Sequence, residues 1–294
     1  MAKAESVLDS VRWDLRAKAG NAFEPSELLD YLNRVVGILD SSLLSINSDW
    51  LKKADAVEAL SAGLRQITMP TRCIGVDSIW RSATVSASTD MTYTNSTGII
   101  LSAATNYATA GFAADDKIGV GGSASNDSDA IGLLTISAIG DAGAGTNNEI
   151  TVNETSLVDE GAADANGTII KVENNEILKA SNEDIHRWRK WRGSGTPVNW
   201  AWEGTNIIFD YFADQAYGLI IHFSQKTDTL EMSSDMPYND EFNEQLRQGV
   251  VMIGENKYDE VTQLSAALLT MFEQSARTKT MRRGFVPKRY RLNF

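Results

Sequence analysis

Two histidines, one cysteine and an excess of carboxylates leave few routes to chemistry in this chain. His186 lies among charged residues and His222 in an apolar run. With no second histidine nearby and no cysteine cluster, neither offers zinc geometry, and a surface and a core histidine are the better readings. Asn126-Asp-Ser-Asp resembles the start of a calcium loop, but a loop opening at Asp127 would need Asp or Asn where Ile131 stands. The glycines within 119–122 lack the lysine and spacing of a phosphate loop. Turn chemistry explains both stretches. The pairs Asp115/Asp116 and Asp159/Glu160 fit charge on a solvated face better than acid–base catalysis. The expectation is therefore a protein without enzymatic activity, metal or cofactor.

Charge is more telling in its distribution than in its total of −12. Residues 83–172 hold eleven acidic side chains against Lys117 and Lys171, a local charge of −9. After Glu273 come seven basic residues and no acidic one: Arg277, Lys279, Arg282, Arg283, Lys288, Arg289 and Arg291. These cations alternate with Phe285, Tyr290 and Phe294. Basic and aromatic residues together suit either nucleic acid or an acidic protein surface. Protein docking is preferred, because the acidic remainder of the chain repels a polyanion. Arg282, Arg283, Phe285, Lys288, Arg289, Tyr290, Arg291 and Phe294 are the candidate binding residues, for a partner or a neighbouring subunit. The single Cys73 permits no internal disulfide. No stretch approaches the roughly 18 to 20 apolar residues that span a bilayer, and no secretory leader is recognisable, so a soluble protein with no membrane role is expected.

The elements that must position these groups follow from apolar spacing. Val7, Leu8, Val11 and Leu15 predict a short amphipathic helix over 5–16. Pro25 opens a longer one to about 45, carried by Leu28, Leu32, Val35, Val36, Leu39 and Leu43. Asn47 or Ser48 would cap a third helix through about 62. Ser181 with Asp184 resembles a capping box before a short helix through Ile185, Trp188 and Trp191. Aromatic and β-branched runs at 198–202, 206–212 and 217–223 predict a three-stranded antiparallel meander, taken as the packing centre of the molecule. Phe242, Leu246 and Val250 mark a later helix, and Val261 to Phe272 a last one to about 279. Gly284 and Pro287 stop it, leaving an extended arm.

Between 83 and 172 the texture is Ser, Thr, Ala, Gly and Asn with period-2 apolar runs and recurrent turn signals, as in a small all-β domain. The expected fold is α+β: a helical bundle packed on a small antiparallel β-meander, with an inserted all-β module and an extended C-terminal arm. The expected divisions are 1–82 with 173–282 as helical and meander core, 83–172 as an inserted sandwich or barrel-like domain, and 283–294 as a basic arm.

Five stretches in this order resemble the head-to-tail connector (adaptor or neck) proteins of tailed bacteriophages. They are Pro25-Ser-Glu-Leu-Leu-Asp-Tyr-Leu-Asn, Gly195-Thr-Pro-Val-Asn-Trp, Trp202-Glu-Gly-Thr-Asn-Ile-Ile, Tyr217-Gly-Leu-Ile-Ile-His-Phe and Met236-Pro-Tyr-Asn-Asp-Glu-Phe. The resemblance covers about 1–82 and 173–294. Where many relatives carry a proline-rich turn, this chain has Ala213-Asp-Gln-Ala. The resemblance implies a virion structural protein: a homo-oligomeric ring of twelve copies beneath the portal protein, continuing the DNA channel to a downstream tail or nozzle protein. Genomic DNA would pass through its lumen without sequence-specific binding, and assembly would take place in the host cytoplasm. The alternatives are a tail or nozzle ring that does not touch the portal, and a carbohydrate-binding adhesion protein using the inserted domain. An exposed platform of Tyr93, Tyr107 and Phe112 would favour adhesion. A polysaccharide-cleaving enzyme would need a cleft with close carboxylates.

Overall fold

The computed structural model describes residues 2–19, 23–45, 51–123, 125–141, 147–160, 167–173, 175–238, 242–255 and 270–274. The chain opens with α1 (Ala4–Ala19) and α2 (Pro25–Ser45), followed by β1 (Lys52–Leu60), β2 (Gln66–Thr68) and β3 (Cys73–Ser82). Next come β4 (Val85–Ser88), β5 (Thr92–Thr94), β6 (Ile99–Leu101), β7 (Lys117–Gly121), α3 (Ser128–Ile131), β8 (Leu134–Gly140), β9 (Glu149–Val152) and β10 (Gly167–Lys171). The remainder is β11 (Glu176–Lys179), α4 (Asn182–Arg189), β12 (Ser194–Gly195), β13 (Asn199–Glu203), β14 (Asn206–Phe209), β15 (Phe212–Ala213), β16 (Tyr217–Gln225) and α5 (Asn243–Glu255).

Two units divide the chain: Met1–Lys52 with Gln225–Phe294, and Lys53–Ser224. In the first, α5 packs on both α1 and α2. The expected apolar stripes are the buried faces, with Leu8, Val11 and Leu15 from α1, Leu28, Leu32, Val35 and Leu39 from α2, and Leu246 and Val250 from α5. Buried Asp40 ties α2 to the later chain, accepting from the Thr227 amide (2.9 Å), the Thr227 hydroxyl (2.9 Å) and the Tyr238 hydroxyl.

The second unit overturns the expected fold class. In place of a small meander needing helices to cover it, there are two seven-stranded sheets, and the molecule is predominantly β. The first sheet runs β1-β16-β3-β11-β13-β14-β2 and the second β4-β10-β7-β8-β9-β6-β5. A flat sheet of seven strands would hold its edges about 29 Å apart. The six steps from Leu60 to Gln66 join the edge strands of the first sheet, and the four from Ser88 to Thr92 those of the second. Links of that length reach at most about 21 and 14 Å. Both sheets must therefore curl toward closure, and a curled sheet fills its own interior.

The interior of the first holds Trp200, Ile207, Phe209, Leu219, Ile221 and Phe223, and that of the second Tyr93, Ile100, Ile118, Val120, Ile136, Ile150 and Ile169. All seven strands of the second sheet come from within 85–171. The β13–β14 hairpin forms as expected, turning at Gly204 with φ +60°. The third strand of the expected meander does not join it: β16 lies between β1 and β3.

The expected third helix is also corrected. Residues 52–60 are the strand β1, although Ala54, Val57 and Leu60 are buried at a helix-like spacing of three. The cause is burial on both faces. Ala54 and Leu60 enter the first sheet's core, while Val57 faces out against Ile170 and Ile220, where the two sheets meet.

Candidate functional site

The most unusual surface of the described chain is built on α4. Its N-cap is Ser181, whose hydroxyl accepts from the Asp184 amide at 3.1 Å. Ile185 is fully buried against Ala201 and Ile208, the outward residues of β13 and β14, with Trp188 half-buried beside them. One face of α4 is thus fixed to the hairpin. Within the segment 186–192, His-Arg-Trp-Arg-Lys-Trp-Arg, the side chains of His186, Arg187, Lys190 and Trp191 are exposed, while Arg189 and Arg192 are half-buried.

Hydrogen bonds tie this segment to two other turns. Arg189 donates to the carbonyls of Phe209 (3.1 Å) and Arg65 (3.0 Å). The Arg65 guanidinium lies 3.2 Å from the centroid of the Phe212 ring, and the Phe212 amide donates to the Gly193 carbonyl at 3.1 Å. Leu64 joins the circuit through the Ala213 amide (2.8 Å). The result is one contiguous patch in which Trp191 is 86% exposed, Leu64 50% and Phe212 41%. Arg65, Arg189 and Lys190 form no ion pair among the described residues. Burial holds the Arg65 guanidinium below its usual pKa, and the neighbouring Arg189 adds to the effect. Burial likewise lowers that of Arg189, against the opposing pull of Glu203.

Arg192 differs from these three. It pairs with the fully buried carboxylate of Asp210 and lies over the rings of Trp188 (4.6 Å) and Tyr211 (4.9 Å). Asp210 also accepts from the amides of Val198 and Asn199 (both 3.1 Å) and from the Asn199 side chain (2.8 Å). The turn behind the patch is held by a carboxylate with every contact charge-assisted or backbone-derived.

A second feature of the same unit is a cleft of about 340 Å³ where the sheets meet, lined among others by Glu58, Pro70, Gly121, Asp127 and Asp129. Burial raises the Glu58 pKa, with Asp127 adding to it. Burial also raises that of Asp127, and Asp129 and Glu160 push the same way. Among the described residues no group of three His, Cys, Asp or Glu is placed to hold a metal ion.

The residues singled out from the sequence have structural roles where they are described. Fully buried Asn126 bonds the Val158 amide (2.7 Å) and carbonyl (3.0 Å), and Asp127 accepts from the Ser123 amide (2.7 Å), so this stretch is a turn fastened to a neighbouring loop. Gly119 and Gly121 are needed for close packing: a Cβ would stand 2.5 Å from the Val57 side chain at the first and 2.3 Å from its carbonyl oxygen at the second.

His186 pairs with Glu203 on the surface at 2.8 Å, and His222 with Asp55, edge-on to Trp80. Burial pushes the Cys73 thiol up to about 11, which leaves it a poor nucleophile at neutral pH. Tyr93, Tyr107 and Phe112 are all buried in the second core and present no platform for a sugar. No described helix is long and apolar enough to cross a membrane.

The eight candidate binding residues, Arg282, Arg283, Phe285, Lys288, Arg289, Tyr290, Arg291 and Phe294, lie outside the described residues. The α4 patch was missed, although its signal was in plain view: four basic residues and two tryptophans within 186–192 of an acidic chain. No protein-family model matches the chain, and no curated protein matches it.

Proposed function

We propose that this chain is a virion structural subunit, a head-to-tail adaptor that forms a ring beneath the portal of a tailed bacteriophage and continues the DNA channel into the tail. The observation that carries the reading is one of order. The five stretches of the resemblance fall in sequence on α2, on the entry to β13, on the β13–β14 hairpin, on β16 and on the segment leading into α5. Support comes from the α4 patch, because exposed aromatic side chains set among half-buried arginines mark a protein interface. The acidic balance of the remainder would repel DNA phosphates and favour free passage.

The decisive experiment is electron microscopy of the full chain, alone and mixed with an isolated portal ring. Closed rings that stack coaxially on the portal are expected. Removal of residues 283–294 should abolish stacking while leaving a folded subunit. A chain that stays monomeric in both conditions and turns over a substrate overturns the reading.

A further inference from the structure

We infer that the α4 patch is one half of a head-to-tail contact between two copies of this chain, and that the other half is the acidic surface of the neighbouring copy's second sheet. The inference rests on the ring reading and specifies which surfaces close the ring.

Charge complementarity supports it directly. Arg65, Arg189 and Lys190 have no ion pair among the described residues, and the chain itself carries the opposite charge, −9 over 83–172. Within that region Asp115 and Asp159 are exposed, Asp129 is half-buried, and none of the three forms an ion pair among the described residues. The apolar content of the patch argues the same way. Trp191, Phe212 and Leu64 are exposed on turns that backbone hydrogen bonds tie together, and a Trp–Arg centre with an apolar surround is the usual make-up of an interface hot spot.

A single-stranded nucleic acid fits less well, because it needs successive free ring faces on which to stack bases. Here the Phe212 ring is covered by Arg65, and those of Trp188 and Tyr211 by Arg192, which leaves Trp191 to act alone. A contact between two different surfaces propagates from copy to copy and closes a ring when the rotation permits.

The test uses two variants of the full chain that leave the folded contacts intact. One carries Lys190→Glu with Trp191→Ala, both exposed. The other carries Asp115→Asn, Asp129→Asn and Asp159→Asn, which keep an acceptor oxygen while losing the charge. Self-association is followed by sedimentation velocity, with circular dichroism as a check on folding. Wild type should associate at about 50 mM salt and dissociate progressively toward about 500 mM. Each variant alone should associate about tenfold more weakly or worse. Mixed, they should recover an equimolar complex through the one intact pair of surfaces.

Wild-type-like association by either variant, or failure of the mixture to recover binding, overturns the assignment. So does loss of oligothymidylate binding by the first variant with self-association unchanged. Rings that form regardless of these substitutions would remove this contact and leave the adaptor reading standing. That reading is judged separately, by portal stacking.

Discussion

Val57 on β1 rests directly against Gly121 on β7, so closely that a Cβ at 121 would lie 2.3 Å from the Val57 carbonyl oxygen. The same approach recurs on either side. Gly119 accommodates the Val57 side chain, and Gly218 on β16 accommodates Ile170 on β10, where a Cβ would meet it at 2.5 Å. Glycines on β7 and β16 let two curled sheets press backbone to side chain, with Val57, Ile170 and Ile220 sealed between them. Close approach at three glycines and the apolar cluster it encloses together join the two sheets.

Gly121→Ala should accordingly destabilise the protein, by roughly 2 to 3 kcal/mol, since the clash is with backbone and cannot be relieved by a rotamer change. Gly37→Ala in α2 provides the contrast. Nothing lies within 4 Å of a Cβ there, and the helix should gain about 1 kcal/mol. Denaturant titration of both variants measures the difference. Equal effects at the two sites would mean that the sheets can separate freely at β7.

Asp210 supports the α4 patch from below. Asp210→Ala would leave Arg192 and the amides of Val198 and Asn199 without their acceptor in a buried setting, at a cost of roughly 3 kcal/mol or more. Asp210→Asn keeps an oxygen for the two amides and should cost about half as much. Tryptophan fluorescence reports the loss locally, because Arg192 lies over Trp188. A fully stable Asp210→Ala protein with unaltered fluorescence would show that the turn is held by something else.

How legible this architecture was depends on whether a signal is local. The stripe of α2, the Ser181 cap and the Glu203-Gly204-Thr205 hairpin are encoded within a few residues, and each forms where spacing placed it. The stretch of β1, Lys-Lys-Ala-Asp-Ala-Val-Glu-Ala-Leu, is rich in helix formers and reads as a helix by itself; only its neighbours make it a strand. β16 reads as a strand from its own residues, but its neighbours in the sheet are β1 and β3 and not the adjacent hairpin. A clue was available, since Tyr217-Gly-Leu-Ile-Ile does not alternate with polar residues, as befits a strand buried on both faces. Its actual partners, more than a hundred residues away, leave no local trace. The α4 patch needed no structure to be noticed. Its importance emerges only once Arg65 and Phe212, distant in sequence, are seen to complete it.

The cleft makes a pH-dependent prediction at Glu58. Its pKa is raised in the folded protein, chiefly by burial and then by Asp127, so between the unfolded and folded values the native state binds the proton more tightly. Stability therefore falls as pH rises through that window and stays reduced above it. Glu58→Gln removes the buried charge. It should raise Tm by a few degrees at pH 7.5, corresponding to about 1 kcal/mol or less for a partly solvated group. The advantage should shrink as pH drops, and should vanish below the ordinary carboxylate value of about 4.3, where folded and unfolded wild type are both protonated. Thermal melts of both proteins across that range decide the matter. A gain independent of pH would mean that the substitution acts through packing, and no gain at pH 7.5 would mean that the cleft carries no electrostatic strain.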